Sequence, residues 1–251
     1  MTAAQMRTGI SFPAIRPVGL TGLLVSFSDR LEEPANRAAL AFRAAVEAAA
    51  WPGVEETSTS LASSYLRFDP LILSPEALTE RLRALLSTRD WRAAPLPPGR
   101  RLFRVPTLYG TDLAPQLAEA AAEAGLSPEA AIADLGATRV RVLTIGFAPG
   151  QPYLGELGTA WDLPRQSALT ARVPAGALVL AVRQLTLFTA PAPTGWRHVG
   201  QTRFRCFRPE APDPFPLSPG DEMIFAPVSR ADYDRLGDVT DHGLRIEEIA
   251  G

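Results

Sequence analysis

The chain has 251 residues, a mass of 26.9 kDa and a formal net charge of −2. Its 25 basic residues are all arginine, and the sequence contains no lysine. This composition excludes a Schiff-base lysine, a P-loop lysine and a biotinyl-lysine on this chain, so the chain is not itself a biotin carrier. Any anion that it binds must be held by arginine or by backbone N–H groups.

The remaining totals are typical of a globular protein, with 46% hydrophobic and 21% charged residues. No segment carries a dense basic patch, which argues against a nucleic-acid partner. The single cysteine, Cys206, excludes an intrachain disulfide framework and cysteine-based zinc sites. Residues 1–17 lack the apolar core of a signal peptide, and no run approaches the roughly 20 apolar residues of a membrane span. We therefore expect a cytoplasmic protein without a membrane partner.

The first part of the chain predicts alternating strands and helices. Residues 20–27 predict a strand, and a helix from Pro34 to about residue 50 follows, with proline in its first turn. Residues 54–68 indicate two strands joined by a Ser/Thr-rich turn. Ser74-Pro75-Glu76 is a helix start, followed by a leucine stripe over residues 78–86. The predicted order is β-α-β-β-α.

The proline-rich segment APLPPG, residues 94–99, predicts a linker between two domains, residues 1–94 and 95–251. Beyond it we predict a strand over 101–109, a helix near 114–124 and a short helix starting at Ser127-Pro128-Glu129. The rest predicts short strands separated by glycine and proline, a pattern typical of a barrel or sandwich. These strands are expected at residues 140–145, 177–182, 185–189, 204–207 and 223–228.

Most familiar catalytic patterns are absent from the sequence. The two histidines, His198 and His242, have no partner at metal-ligand spacing, so no metal site is predicted. Cys206 lies in an apparent strand and is interpreted as a buried structural thiol. No Gly-x-Ser-x-Gly, His-Glu-x-x-His, Walker A or Gly-x-Gly-x-x-Gly pattern occurs.

One segment has an unusual composition: residues 146–155, GFAPGQPYLG, hereafter the signature loop, contain three glycines and two prolines after an apolar strand. A rigid loop of this kind can direct consecutive N–H groups at an anion or a developing oxyanion. It can equally be a rigid connection between strands. The residues alone leave both interpretations open.

Four side chains downstream have similarly open interpretations. Arg165 and Arg172 lie on turns rich in proline and glycine, where they either bind an anion or are ordinary surface arginines. Gln184 is either an inward polar group or a residue at a strand edge. Trp196 is either part of the core or a platform for a ligand.

The signature loop resembles the motif Gly-Phe-x-Pro-Gly-Phe-x-Tyr-Leu-Gly of the family that contains the B-type subunit of 5-oxoprolinase, allophanate hydrolase subunit 1 and the Kip-type histidine-kinase inhibitor. Further matches occur in the same order along the chain, over roughly residues 15–235. They include Pro164-Arg165, the RVPAG of residues 172–176, the GWRHVGQT of residues 195–202 and the LSPGD of residues 217–221.

This resemblance implies an α+β chain with a ferredoxin-like N-terminal domain followed by a cyclophilin-like β-barrel domain. It implies ATP-dependent hydrolysis of 5-oxoproline, or of a related lactam or amide, as the activity. It also implies a homologous partner, similar to the C-type subunit of 5-oxoprolinase or to allophanate hydrolase subunit 2. ATP would be a cofactor, bound with or by that partner.

The resemblance also suggests which residues form the site. The catalytic candidates are Arg165, Arg172 and Gln184. The substrate-binding candidates come from the signature loop and the RVPAG segment: Gly146, Phe147, Pro149, Gly150, Pro152, Tyr153, Leu154, Gly155, Pro174 and Gly176.

The chain departs from the family pattern at several positions. The family segment Ala-Gly-Gly-Gln-Thr-Gly-Ile-Tyr-Pro corresponds to residues 181–189, where Val182, Arg183 and Thr186 replace three glycines. The second phenylalanine of the signature is Gln151. These departures leave two hypotheses. The chain is either part of an enzyme acting on a lactam or amide, or a non-catalytic binding or regulatory module such as a Kip-type inhibitor or a degenerate paralogue.

Overall fold

The computed structural model describes residues 11–239 and 241–249. The chain divides into two compact units, Met1–Pro97 and Pro98–Gly251, and the division lies within the proline-rich segment 94–99. No helix in the described residues is both long and apolar enough to cross a membrane.

The first unit is a four-stranded antiparallel sheet with two helices. The sheet order is β1-β2-β4-β3, so strand β1, which we did not predict, forms one edge beside β2. This is the strand order of a ferredoxin-like sheet, with one edge strand supplied from the N-terminal side. The elements are β1 Ala14–Val18, β2 Gly22–Ser26, α1 Glu33–Ala49, β3 Val54–Ser60, β4 Ser63–Phe68 and α2 Pro75–Leu86.

The two Ser-Pro-Glu segments cap helices, as predicted. The hydroxyl of Ser74 accepts a hydrogen bond from the N–H of Ala77 at 3.2 Å, and Ser127 does the same for Ala130 at the start of a helix in the second unit. In the first unit the apolar faces of both helices cover the sheet, where the rings of Phe42 and Trp91 meet edge to face at 5.0 Å.

The second unit is a closed barrel of seven strands in the order β5-β12-β9-β10-β7-β6-β13, with β13 pairing back to β5. This barrel and the separate small sheet of the first unit confirm the predicted α+β fold class. Strand β14 extends the sheet beside β5, while β8 and β11 form a two-stranded sheet. The strands are β5 Arg101–Tyr109, β6 Val140–Ile145, β7 Pro152–Gly155, β8 Thr170–Val173, β9 Ala177–Ala181, β10 Gln184–Leu187, β11 Ala192–Thr194, β12 Arg197–Thr202, β13 Glu222–Pro227 and β14 Arg245–Glu248.

Three helices accompany the barrel, α3 Leu117–Glu123, α4 Pro128–Ala137 and α5 Arg230–Arg235. Side chains in β7 and β10 alternate between the two faces of the barrel wall, because successive residues of a strand point to opposite sides. Leu154 and Leu185 pack in the main core of this unit. Tyr153 and Thr186 therefore lie on the opposite face, where the cavity described below is formed.

One predicted strand is wrong. Residues 204–207 form an irregular segment, although Phe204 and Cys206 are buried and Arg205 between them is exposed. This alternation imitates a half-buried strand, but no neighbouring strand pairs with the segment in the described part of the chain. Cys206 is buried as expected, and burial raises the pKa of its thiol.

Candidate functional site

A cavity of about 290 Å³ lies against the face of β7 and β10 that is opposite the main core of this unit. Four segments of the chain that overlap the family motifs meet there: residues 147–153, 165–169, 186–188 and 193–196. The cavity is lined by Phe147, Gln151, Tyr153, Arg165, Gln166, Leu169, Thr186, Phe188, Pro193, Thr194, Gly195 and Trp196. We take this cavity as the candidate functional site.

An aromatic corner forms one wall of the cavity. The rings of Tyr153 and Trp196 meet edge to face, with centroids 6.1 Å apart. The guanidinium carbon of Arg165 lies 5.5 Å from the centroid of the Trp196 ring, a cation–π contact. Arg165 is exposed, and within the described residues no carboxylate forms an ion pair with it. Its charge is therefore available to an anionic or carbonyl oxygen.

The turn that carries Arg165 is tied to the Trp196 segment by three hydrogen bonds. The N–H of Gln166 donates to the carbonyl of Gly195 at 2.7 Å, and Gln166 Nε2 donates to the carbonyl of Trp196 at 3.0 Å. The guanidinium of Arg197 donates to the carbonyl of Pro164 at 2.7 Å. Arg165 and Trp196 are thus held in place from both sides before any ligand arrives.

A second side chain, Gln116, reinforces this turn. Its Nε2 donates to Gln166 Oε1 at 2.7 Å, and its Oε1 accepts from the N–H of His198 at 2.8 Å. The N–H of Gln116 donates to the carbonyl of His198 at 3.0 Å. The orientation of the Gln166 amide is fixed by these contacts, since both of its polar atoms are engaged.

Thr186 places an unused hydroxyl beside the cavity. The residue is 2% exposed, and its Oγ1 has no hydrogen-bond partner among the described residues. An unsatisfied buried hydroxyl costs about 1–3 kcal/mol, so a ligand that bonds to it recovers that free energy. Thr186 replaces a glycine of the family pattern, and its side chain adds both volume and a hydrogen-bonding group to the wall.

The signature loop closes on itself. The N–H of Gly146 donates to the carbonyl of Gln151 at 3.0 Å, and the N–H of Gln151 donates to the carbonyl of Ala148 at 3.1 Å. Within the described residues, the N–H groups of Phe147, Ala148 and Gly150 donate to no carbonyl. The loop therefore contributes both a rigid connection and three free N–H groups, so the two interpretations of its sequence are compatible.

Gly150 is required by packing. It has a φ of +71°, and a Cβ at this position would lie 2.2 Å from the carbonyl oxygen of Cys206. The glycine lets the loop pack on the irregular segment 204–207, a contact between parts of the protein. Gln151, which replaces the second phenylalanine of the family signature, is buried and lines the cavity.

The structure brings only some of the predicted site residues to the cavity, namely Phe147, Tyr153 and Arg165. Arg172 lies in β8, exposed and outside the cavity wall. Gln184 is buried in β10, next to Gly155, and does not line the cavity either. The other predicted residues lie elsewhere: Leu154 in the barrel core, Pro149 and Pro174 on the surface, Pro152 buried in β7, and Gly176 in a turn before β9.

Sequence reasoning did not assign roles to Thr186, Gln166 or Arg197. One indication in the sequence pointed to Thr186, since this residue replaces a glycine of the family pattern. Arg197 follows Trp196 in the GWRHVGQT match, but an arginine in a strand gives no sign of a buried position. Its partners, Glu119 and Glu123 in α3 and the carbonyl of Pro164, are recognisable only in the folded chain.

The turn between β9 and β10 keeps a left-handed backbone without its glycines. Val182 and Arg183 have φ values of +45° and +61°. Their N–H groups donate to the carbonyls of Leu163 at 2.7 Å and Trp161 at 3.0 Å. Two residues other than glycine therefore adopt the left-handed conformation in this turn, at a cost in backbone strain.

Among the described residues, no group of three or more His, Cys, Asp or Glu side chains is arranged to hold a metal ion.

Comparison with known proteins supports the family that the signature loop suggests. The family described as "Carboxyltransferase domain, subdomain C and D" matches residues 13–217. The B-type subunit of 5-oxoprolinase from Bacillus subtilis (strain 168) is 29% identical over 226 residues, which cover 87% of this chain and 94% of the relative. The B-type subunit of 5-oxoprolinase from Escherichia coli O157:H7 is 32% identical over 159 residues, covering 62% of this chain and 72% of the relative.

Solved structures share the fold of this chain. The crystal structure of TTHA0988 superposes with a TM-score of 0.70 and 31% identity over 86% of this chain, which spans 40% of the length of TTHA0988. The urea carboxylase of Kluyveromyces lactis superposes with a TM-score of 0.66 over 94% of this chain and 24% of its own, at 18% identity. That second likeness concerns the fold alone.

The match over residues 13–217 extends over most of the first unit and the larger part of the second, and it includes all of the segments that form the cavity. It confirms the family suggested by the signature loop. The chain therefore belongs to the family of carboxyltransferase domains, subdomains C and D, to which the B-type subunits of 5-oxoprolinase are related.

Proposed function

We propose that this protein is the B-type subunit of a 5-oxoprolinase-like amidohydrolase, and that the cavity beside the signature loop binds 5-oxoproline or a related small lactam or amide. The relatives that are named as B-type subunits of 5-oxoprolinase support this proposal. The observation that carries it is the convergence of a free guanidinium, Arg165, and a free hydroxyl, Thr186, on one small cavity with an aromatic wall.

The groups around the cavity suit a small cyclic amide. A flat ring can lie against Trp196 and Tyr153, and the guanidinium of Arg165 can donate to a carboxylate or to the lactam carbonyl. Hydrogen bonding to the carbonyl oxygen makes the carbon more electrophilic, and the bond strengthens as negative charge develops on the oxygen. Thr186 would orient the substrate through its hydroxyl. The N–H of Phe147, which lines the cavity and donates to no carbonyl in the described residues, is a further donor for the developing charge.

The proposal places ATP outside this cavity. Its volume of about 290 Å³ lies at the lower limit of the range for ligand pockets, and Arg165 is the one cationic residue that lines it in the described part of the chain. A triphosphate is usually held by several cations and a metal ion. In the proposed assembly ATP is bound by, or together with, a homologous partner that is similar to the C-type subunit of 5-oxoprolinase or to allophanate hydrolase subunit 2.

A reconstituted complex tests the proposal. The chain is purified together with its candidate partner, and ATP-dependent conversion of 5-oxoproline to glutamate is measured. We expect turnover, and we expect Arg165→Ala to reduce kcat/KM about 100-fold, because a charge-assisted contact in the transition state is lost. Arg172→Ala is the matched comparison, since Arg172 is an exposed arginine outside the cavity, and its effect should stay below about threefold.

The alternative function is a non-catalytic binding or regulatory module. The replacement of three family glycines by Val182, Arg183 and Thr186 favours this alternative, because the chain departs from the family pattern there. The same experiment separates the two functions. Two results together would contradict the catalytic proposal and support the alternative. The complex would form stably without turnover, and Arg165→Ala would have no effect on binding of the partner.

A further inference from the structure

A second cavity in the barrel unit, of about 530 Å³, plays no part in the function proposed above. It is formed where the Gly176 turn meets the end of β12 and the irregular segment 204–207. Phe188 lines both this cavity and the first one, so the two are neighbours. The second cavity has a distinct set of polar groups, and these indicate what it can bind.

Three buried polar atoms beside this cavity have no hydrogen-bond partner among the described residues. They are Gln201 Oε1, Thr202 Oγ1 and Thr189 Oγ1. Gln201 is 6% exposed and Thr202 is 2% exposed, so bulk water reaches neither side chain freely. An unsatisfied buried polar group is unfavourable, and three of them around one cavity indicate a ligand that complements them.

The orientation of the Gln201 amide is fixed by its other atom. Nε2 donates to the carbonyl of Ala175 at 2.8 Å and to the carbonyl of Thr202 at 3.2 Å. Because both of these partners are acceptors, the nitrogen must face them, and Oε1 is the atom left free. Gln201 therefore offers the cavity an acceptor, which requires an N–H or O–H donor on the ligand.

Arg203 supplies a positive charge to the same cavity. Its Nε donates to the carbonyl of Tyr233 at 3.0 Å, and its guanidinium carbon lies 4.5 Å from the centroid of the Tyr233 ring. In the described part of the chain, no carboxylate pairs with Arg203, whereas its neighbour Arg205 pairs with Glu210. Arg203 is therefore a positioned cation whose terminal nitrogens are free to bind an anion.

The wall of this cavity depends on Gly176. The residue has a φ of +77°, and a Cβ there would lie 2.3 Å from the carbonyl oxygen of Thr202 and 2.9 Å from Gln201 Nε2. Glycine thus allows the turn to approach β12 closely enough for the Gln201 amide to bond across it. The rest of the wall is largely aromatic, from Phe188, Phe204 and Tyr233.

We propose that this second cavity binds a small organic acid with an apolar or aromatic body and an N–H or O–H donor close to its carboxylate. The carboxylate is bound by Arg203 and by the threonine hydroxyls. The neighbouring donor bonds to Gln201 Oε1, and the apolar body lies against the aromatic side chains. N-acylated amino acids and aromatic hydroxy acids have this combination of groups.

The proposal is tested by measuring binding to the full chain with N-benzoylglycine, which carries a phenyl ring, an amide N–H and a carboxylate. Its methyl ester, which lacks the charge, is the matched probe. We expect saturable binding of the acid by calorimetry, and at least tenfold weaker binding of the ester, since a charge-assisted contact is worth about 1.5–3 kcal/mol. Arg203→Gln should remove the preference for the acid over the ester.

Two threonine variants assign the binding to one cavity. Thr202→Val removes a hydroxyl that has no partner in the described residues, so the fold should be retained, and binding of N-benzoylglycine should weaken about threefold or more. Thr186→Val alters the first cavity and should leave this binding unchanged. No binding at millimolar concentration, or binding that responds to Thr186→Val and not to Thr202→Val and Arg203→Gln, would overturn the proposal. Binding that responds to Thr186→Val alone would place the ligand in the first cavity, whose proposed function is tested separately by the turnover assay of the reconstituted complex.

Discussion

The guanidinium of Arg197 donates a hydrogen bond to the carbonyl oxygen of Pro164 at 2.7 Å, immediately before Arg165. The same side chain is 6% exposed and pairs with Glu119 and Glu123 of α3. One buried cation thus connects a helix to the turn that presents the candidate catalytic arginine. This makes Arg197 a positioning residue, since it acts on the cavity through Pro164 and lines no part of it.

Replacing this cation should destabilise the protein more than replacing a surface one. We expect Arg197→Met to lower the free energy of unfolding by about 1.5–3 kcal/mol, because several charge-assisted hydrogen bonds are lost. Arg205→Met removes an exposed ion pair with Glu210 and should change the free energy of unfolding by less than about 1 kcal/mol. Urea unfolding of both variants measures the difference, and equal effects would contradict the role assigned to Arg197.

The signature loop contains glycines with different structural requirements. Gly150→Ala should lower the free energy of unfolding by about 2–4 kcal/mol, because its Cβ would collide with the Cys206 carbonyl and its φ is positive. Gly146→Ala is the matched control, since a Cβ at residue 146 meets no atom within 4 Å. Thermal and chemical denaturation compare the two. A large loss of stability in Gly146→Ala would refute this account.

The turn between β9 and β10 should be stabilised by restoring one glycine. Val182 is β-branched, has a φ of +45° and is 41% exposed, so it carries strain and little packing. Val182→Gly should raise the free energy of unfolding by about 1 kcal/mol. The reason is that the relief of strain exceeds the additional backbone conformational entropy that glycine loses on folding.

Arg183→Gly is the contrasting variant. Arg183 also has a positive φ, but its Nε donates to the carbonyl of Leu157 at 3.0 Å, and its guanidinium pairs with Glu156 at 3.4 Å. The loss of these contacts offsets the relief of strain, so no gain in stability is expected. A lower melting temperature for Val182→Gly than for the parent chain would show that the strain is not significant.

His198 should make the fold sensitive to acid. Burial lowers the pKa of this histidine in the folded chain. Below the unfolded value of about 6.5 the unfolded chain then binds more protons than the folded chain, and stability falls as the pH falls.

The variant His198→Gln should therefore show a smaller decrease of melting temperature between about pH 6.5 and pH 5. An unchanged slope in His198→Gln would assign the acid sensitivity to other groups.

Local sequence patterns were sufficient for the strands that are rich in apolar residues. The strands β5 and β6 have the predicted bounds, because each is a mainly apolar segment that glycine follows. Strands β8 and β11 were missed. Their sequences, TARV and APT, are short and largely polar, and they are stabilised by pairing with each other across about twenty residues.

The candidate site was partly predictable for a related reason. The glycines and prolines of the signature loop are a local signal, and so is the resemblance to a family that rests on them. Among the arginines, Arg165 and Arg172 have equally suggestive neighbours in the sequence. Only Arg165 lies at the cavity, because the hydrogen bonds of Gln166 and Arg197 hold its turn against the Trp196 segment.

The amino-acid sequence alone specifies the absence of lysine, the helix starts at Ser74 and Ser127, the apolar strands and the family motif, since each of these depends on neighbouring residues. The two cavities depend on pairings between distant segments, such as β7 with β10 and β9 with β12. These pairings decide which face Tyr153 and Thr186 occupy and which carbonyls the Gln201 amide contacts. Only the folded chain decides this, because one residue of shift in strand register would turn each side chain to the opposite face.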